Sequence, residues 1–254
     1  QRTCTQLSQR EGEEPAVADW LRIAHRGASG HAPENTLAAF RKAVEMGVDG
    51  IEMDIHLSAD DEVVVIHDST LDRTTDAEGQ VAGLSLAEIR EADAGDGERV
   101  PTLGEALDAI PLDVLAFVEI KAAAATPHAV RIVQEMDRLD QVVVISFDSD
   151  ALRTLRPLDS RIPMGLLLGR GAADNVDAST LGIDLLHRAQ ATGTSTVSVD
   201  WGLVSPEVVS DVRRRGGSVW TWTLNRTDHI RRVARMGVQA ITSDYPDRLN
   251  EARM

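Results

Sequence analysis

The chain has 254 residues with a formal net charge of −15, and 43% of them are hydrophobic. That length suits one barrel or two small domains, and the acidity argues against nucleic acid or an anionic membrane as the main partner. Aromatic residues are only 3%, so the core must be built from Leu, Ile, Val and Ala. A lone cysteine, Cys4, excludes an intrachain disulfide.

Residues 1–18 are polar, acidic and aperiodic, and read as a flexible leader ahead of one domain over residues 19–254. No apolar run approaches the ~18 residues of a membrane-spanning helix. With no signal peptide in the sequence the expected compartment is the cytoplasm, although a start at Gln1 allows for an upstream segment removed in processing.

A first strand is expected over Leu21–His25, followed by a loop over Gly27–Pro33. Asn35 is the expected N-cap of a helix whose apolar face carries Leu37, Phe40 and Val44, with Gly47 closing it. The second strand is Gly50–Leu57. The turn Ser58–Asp61 is too short for a crossover, so Val63–His67 should return antiparallel as a hairpin arm. Helical patterns follow at Leu84–Glu91 and Leu103–Ile110.

Further parallel strands are expected at Ala116–Ile120, Val142–Phe147, Met164–Leu168, Thr196–Asp200, Val219–Leu224 and Ala240–Thr242. Helical patterns at His128–Leu139, Ala151–Leu155, Pro206–Arg215 and His229–Met236 separate most of them, and Ile183–Ala191 adds a further candidate. Eight parallel strands with intervening helices, the hairpin arm aside, predict an α/β fold, a (β/α)8 TIM barrel with a hairpin arm after the second strand. The alternative is a doubly wound open sheet, but no Gly-x-Gly-x-x-Gly turn supports dinucleotide binding.

Barrel active sites lie at the C-terminal ends of the strands. Gathered there are His25-Arg26, Glu52 and Asp54, His67-Asp68, Glu119 with Lys121, Trp222, Asn225 and Asp244. Glu52 and Asp54 are two residues apart and share one face, with Ile51, Met53 and Ile55 on the other. Side by side in a barrel mouth, such carboxylates need a cation or a shared proton, and Glu119 can add a third oxygen. All-oxygen ligation suits a divalent cation, Mg2+ or Ca2+, rather than zinc. His25 and His67 beside that ion form a candidate acid/base pair, and Arg26 and Lys121 add the positive charge that a phosphodiester requires.

Taken singly, each residue has a plainer reading. A Glu-x-Asp pair is usually a solvated face, and His25 alone a packed histidine. Lys121 alone would be a surface lysine, and Trp222 alone barrel wall. His56, His128 and His187 read as structural or surface, and His31 as a loop residue near the site. Joint placement at strand ends is what favours function.

The run Ile23-Ala24-His25-Arg26-Gly27-Ala28, with Ala32-Pro33-Glu34-Asn35-Thr36, resembles the N-terminal signature of glycerophosphodiester phosphodiesterases of the short bacterial type. Similar to that family too are Asp49 to Asp54, Ile66-His67-Asp68 with Leu71 to Thr75, and Val118 to Lys121. Ser146 to Asp148, Trp220 to Asn225 and Ile241 to Pro246 continue the pattern, which covers roughly Leu21 to Leu249. The resemblance implies a TIM barrel that hydrolyses glycerophosphodiesters to glycerol 3-phosphate and an alcohol. It implies His25 and His67 as catalytic residues, Glu52, Asp54 and Glu119 as metal ligands, Arg26 and Lys121 as phosphate-binding cations, and Trp222 as the aromatic of the glycerol pocket.

Phe117 stands where members often have Asn, which bears on support for Glu119, and Gly169–Thr196 is atypical and a candidate cover over the site. The expected partner is a small phosphodiester, with no nucleic acid and no stable membrane association; nothing in the pattern sets an oligomeric state. Rival readings are a lysophospholipase D acting on single-chain lipids and a non-catalytic phosphodiester-binding barrel. A glycosidase fits worse, because acids two apart on one strand sit too close to straddle a sugar bond.

Overall fold

The computed structural model describes residues 19–254, so the leader expected over residues 1–18 lies outside the described residues. Nine strands form one sheet: β1 (Leu21–Ala24), β2 (Gly50–Leu57), β3 (Val63–Val65), β4 (Leu115–Ile120), β5 (Val142–Ser146), β6 (Met164–Leu168), β7 (Thr196–Asp200), β8 (Ser218–Trp222) and β9 (Ala240–Ser243). All pairs are parallel except β2 with β3, and β1 pairs with both β2 and β9. That double pairing closes an eight-stranded parallel barrel and leaves β3 as an outrigger, as the short Ser58–Asp61 turn requires. Ile55 faces Val65 in the hairpin, a register that extrapolates to His67 beside Met53.

The helices are α1 (Leu37–Glu45), α2 (Leu86–Ile89), α3 (Leu103–Ala109), α4 (Thr126–Glu135), α5 (Ser149–Leu158), α6 (Leu181–Gln190), α7 (Pro206–Arg213), α8 (Thr227–Ala234) and α9 (Pro246–Arg253). Sequence explains their starts. Capping boxes Ser85/Glu88 and Thr102/Glu105 open α2 and α3, and Ser205 with Pro206 opens α7. The cap of α1 is Thr36, whose hydroxyl accepts from the Ala39 amide, and not Asn35. Asn35 is instead a left-handed residue (φ 58°) whose amide is spent on Asp54. Both are good capping types, and the demand from the strand decides between them.

The main core lies between sheet and helices and takes Ile51, Met53 and Ile55 from β2. Inside the barrel a smaller apolar cluster joins Ile23, Phe117, Val143, Ile145, Leu167 and Ala240, with Trp220 packed against it. The Phe117 and Trp220 rings meet edge to face at 5.4 Å. Room for them comes from glycines: a Cβ on Gly50 would lie 2.7 Å from the Phe117 ring, and one on Gly165 3.0 Å from Trp220. Phe117 is therefore the barrel floor. A third cluster, including Val64, Ile66, Leu71 and Val81, anchors the hairpin arm and the loop after it.

Gly169–Thr196 holds a 3-10 turn at Arg170–Ala173 and then α6, which packs on α7 in the outer wall. Among the described residues no helix is long and apolar enough to cross a membrane.

Candidate active site

One residue beyond β1, the chain turns sharply. Arg26 adopts φ 53° and Gly27 φ 78°, and a side chain on Gly27 would strike Ala39. A left-handed arginine is unfavourable by roughly 1–2 kcal/mol. Here it aims the Arg26 amide at Glu52 Oε2 (2.8 Å), and the Gly27 amide bonds the Glu52 carbonyl. The turn thus ties the end of β1 to the carboxylates of β2.

Register brings the acids together. Asp54 lies directly beside Glu119 across the β2–β4 pair, and Glu52 lies beside Phe117, one layer nearer the floor. Glu52, Asp54 and Glu119 are all buried, and oxygens from the three lie within 4.8 Å of one another. Lys121 Nζ sits 2.5 Å from Glu119 Oε1 and 2.7 Å from Asp54 Oδ1, the latter off the hydrogen-bonding direction. Arg26 Nε is 3.2 Å from Asp54 Oδ2 and equally ill-directed.

Two cations against three carboxylates leave one negative charge uncompensated in a low-dielectric site, where it is costly. Burial, and then the charges of Asp54 and Glu119, push the Glu52 carboxyl well above its ordinary value. Burial and Asp54 push Glu119 up to about 7 in spite of Lys121. Asp54 goes the other way: burial opposes its ionisation, but Lys121, Arg26 and the Asn35 amide outweigh it. Glu52 Oε1 and Asp54 Oδ1 are buried without a well-directed donor. An all-oxygen trio with orphaned acceptors and residual negative charge fits a hard divalent cation.

Two imidazoles line the same cavity as this cluster, each with a carboxylate on Nδ1. His25 Nδ1 is 2.6 Å from Asp244 Oδ1, and its Nε2 is 3.9 Å from Glu52. His67 Nδ1 is 2.5 Å from Asp68 Oδ1. A carboxylate at Nδ1 holds the proton there and leaves Nε2 as the exchanging atom. Asp244 is itself held by Ser29 and Asn225. Burial opposes its ionisation, yet His25, Asn225 and Ser29 keep its pKa low. Burial pulls the His67 imidazole below the ordinary histidine value, by more than Asp68 raises it.

A cavity of about 220 Å3 opens over these groups. Of the residues singled out from sequence, His25, Arg26, Glu52, His67, Glu119 and Trp222 line it, whereas the buried Asp54 and the part-buried Lys121 are not among its lining residues and meet each other and Glu119 beside it. The other side is apolar, with Ile145, Leu167 and a half-exposed Phe147 set edge-on to Trp222 at 5.4 Å. The buried indole N–H of Trp222 has no partner among the described residues.

Sequence reasoning leaves Asp244 unassigned at its strand end, gives Asn35 a capping role and not its place on Asp54, and gives no role to Asp68 or Phe147. The adjacency of Asp68 to His67 is the available signal. His56 bonds the His67 carbonyl and so supports its loop, and His31 pairs with Asp247 outside the cavity lining. Glu119 is supported by Lys121, while position 117 serves the floor. No residue of Gly169–Thr196 lines the cavity, so the expected cover is not formed by that stretch.

A parallel barrel carrying buried carboxylates between two imidazoles has the make-up of an acid–base hydrolase acting on an anionic substrate. Residues 25–248 match the model of the glycerophosphoryl diester phosphodiesterase family, and the chain belongs to that family. It is 34% identical over 242 residues to a glycerophosphodiester phosphodiesterase of Caldanaerobacter subterraneus, covering 90% of this chain and 96% of that one. Among solved structures it is similar to a phosphodiesterase of Oleispira antarctica in complex with the product sn-glycerol-3-phosphate. That likeness has a TM-score of 0.80 and 28% identity, and covers 91% of this chain and 96% of the other. A glycerophosphodiester phosphodiesterase of Agrobacterium tumefaciens gives a TM-score of 0.76 at 26% identity, covering 91% and 99%.

Proposed function

We infer that this enzyme hydrolyses small soluble glycerophosphodiesters to glycerol 3-phosphate and an alcohol. The observation that carries the reading is the trio Glu52, Asp54 and Glu119, with orphaned oxygens, set between two histidines that each carry a carboxylate on Nδ1. Glu52, Asp54 and Glu119 would hold a divalent cation, Mg2+ or Ca2+. When bound it would supply Lewis-acid polarisation of the phosphate and lower the cost of building negative charge.

The chain's own residues do the rest. Through Nε2, one of His25 and His67 takes a proton from the attacking hydroxyl and the other returns one to the leaving alkoxide. Asp244 and Asp68 would keep a proton on Nδ1 of both rings, so that Nε2 is bare in the neutral ring that acts as base and carries the proton to be returned in the imidazolium that acts as acid. Arg26, in the cavity wall, offsets charge on the phosphoryl oxygens, and Lys121 adds positive charge from its place between Asp54 and Glu119. Trp222 offers its ring to the glycerol moiety.

Size favours a head-group diester over a lipid. The cavity is smaller than the roughly 300–1,000 Å3 common for drug-sized ligands, and its apolar side amounts to a few side chains. The acidic charge also disfavours docking on anionic bilayers. The test compares kcat/KM on glycerophosphocholine with that on lysophosphatidylcholine below its micelle concentration, with and without added Mg2+ or Ca2+. Preference for glycerophosphocholine with cation dependence is expected. Preference for the lysolipid would replace the reading with a lysophospholipase D, and turnover after exhaustive chelation would remove the cation.

A further inference from the structure

Beside the cavity, Arg73 grips two carboxylates at once. Its Nε and Nη2 lie 2.6 and 3.1 Å from the two oxygens of Asp68, and its Nη1 and Nη2 lie 3.0 and 2.8 Å from the two oxygens of Glu34. Asp68 follows β3, whereas Glu34 lies in the loop between β1 and α1, so one planar group joins two segments remote in sequence. Each carboxylate also touches the site. Asp68 accepts from His67 Nδ1 at 2.5 Å, and Glu34 accepts from Arg26 Nη1 at 2.9 Å.

Most exposed ion pairs contribute little, and Arg73 is half exposed. Three features set this one apart. Both contacts are two-point, the geometry for which the guanidinium is pre-organised. The loop that carries Arg73 is anchored on both sides of it, because Leu71 is buried in the small core and its amide bonds the Gly79 carbonyl, while the Val81 amide bonds the Ser69 carbonyl. And without Arg73, Asp68 would keep only His67 as a side-chain partner among the described residues.

We propose that Arg73 is a positioning residue for the hydrolysis, acting through Asp68 to fix the orientation and Nδ1–H tautomer of His67, with Glu34 as its anchor on the Arg26 side of the cleft. The proposal rests on the assignment of His67 as an acid/base group. The Arg73 bond, foremost, holds the Asp68 carboxyl well below the usual carboxylate range despite some burial, so Asp68 remains an acceptor for His67 across the working pH range. A lysine cannot reproduce two two-point contacts, so Arg73→Lys should act as a partial loss.

The test uses the full chain with Mg2+ or Ca2+ and glycerophosphocholine. Arg73→Ala is expected to lower kcat about tenfold to a hundredfold, the usual scale for removing a partner one step behind a reacting group, with KM changed less than threefold or so. Added guanidinium ion should restore part of it. Asp68→Asn should show a similar loss, and the double variant should be no worse than the worse single, because both act through one contact. Multiplicative losses, or an unchanged kcat in Arg73→Ala, would overturn the proposal. Nitrogen-15 NMR of the His67 ring needs no turnover and separates this inference from the assignment of the reaction. The Nδ1–H form should dominate in the parent and lose that dominance in Arg73→Ala and, to a lesser degree, Arg73→Lys. An unaltered tautomer in both would also overturn it.

Discussion

Along β4, Phe117 and Glu119 point into the same barrel interior about 7 Å apart, yet they belong to opposite chemistries. At the level of Phe117 the interior is closed by rings: Phe117 and Trp220 meet at 5.4 Å, over glycines at 50 and 165. One step toward the C-terminal rim, the same alternation delivers His25 from β1, Asp54 beside Glu119, and Trp222 from β8. The floor is thus a dry, low-dielectric base for a polar layer. Burial, and with it the charge of Asp54, pushes Glu52 and Glu119 toward their neutral forms, and a hard cation would be held strongly when they ionise.

The largest break in this comparison removes charge from the acidic trio, of which Glu52 lies level with Phe117 and Asp54 with Glu119. Glu52→Gln and Asp54→Asn are each expected to lower kcat/KM by on the order of a thousandfold, the scale for losing a strong electrostatic stabiliser in a water-poor site. Glu52→Gln should at the same time raise the metal-free melting temperature, since burial and its neighbours disfavour the Glu52 carboxylate. Calorimetry with and without Mg2+ would check both halves. A variant that kept the cation-induced gain would show that Glu52 is not a ligand.

Next in size are the imidazoles. His25→Ala and His67→Ala should each reduce kcat by about a hundredfold or more while circular dichroism stays native, because neither ring is part of the apolar clusters. Near-normal turnover in either variant would mark that histidine as structural.

The floor can be broken instead. Gly50→Ala would place a Cβ 2.7 Å from the Phe117 ring and should cost about 1–3 kcal/mol in urea unfolding, the usual penalty for overpacking. Shortening the ring in Gly50→Ala/Phe117→Leu should recover part of that loss. If Gly50→Ala unfolds like the parent, the floor is looser than its contacts imply.

The smallest effect sharpens the electrostatic contrast. Glu119 titrates near 7 in the folded chain, above its unfolded value, so its contribution to stability is present at low pH and is lost as pH rises through about 7 in the metal-free protein. A cation needs the ionised form. Its affinity should therefore fall by at least about tenfold per pH unit below about 7, since Glu52 must ionise too, as isothermal titration at pH 5, 6 and 8 would reveal. A flat affinity over that span would mean that Glu119 does not ligate.

How much of this could be read in advance differs by residue. The alternation of β2 placed Glu52 and Asp54 on one face, and the four-residue turn at Ser58–Asp61 made the arm antiparallel; both are local facts of chain geometry. Asn35 and Thr36 show where local reasoning stops. Either can cap α1, and the outcome depends on Asp54, nineteen residues on, which takes the Asn35 amide. Lys121 has a similar history. Its spacing put it on the inner face beside Glu119, but only the packed barrel shows its ammonium between two carboxylates behind the cavity.

Alone, the sequence determined the strand count, the inward faces, the hairpin arm and the list of polar residues at strand ends, because periods of 2 and 3.6 and short turns are properties of neighbouring residues. Tertiary structure decided which carboxylate serves which histidine, Asp244 for His25 and Asp68 for His67, and that Arg73 joins Asp68 to Glu34. It also decided which acids resist ionisation. The reason is physical: hydrogen bonds and charge interactions act over a few ångströms of space, and closing a barrel brings within that range residues as far apart in the chain as 25 and 244.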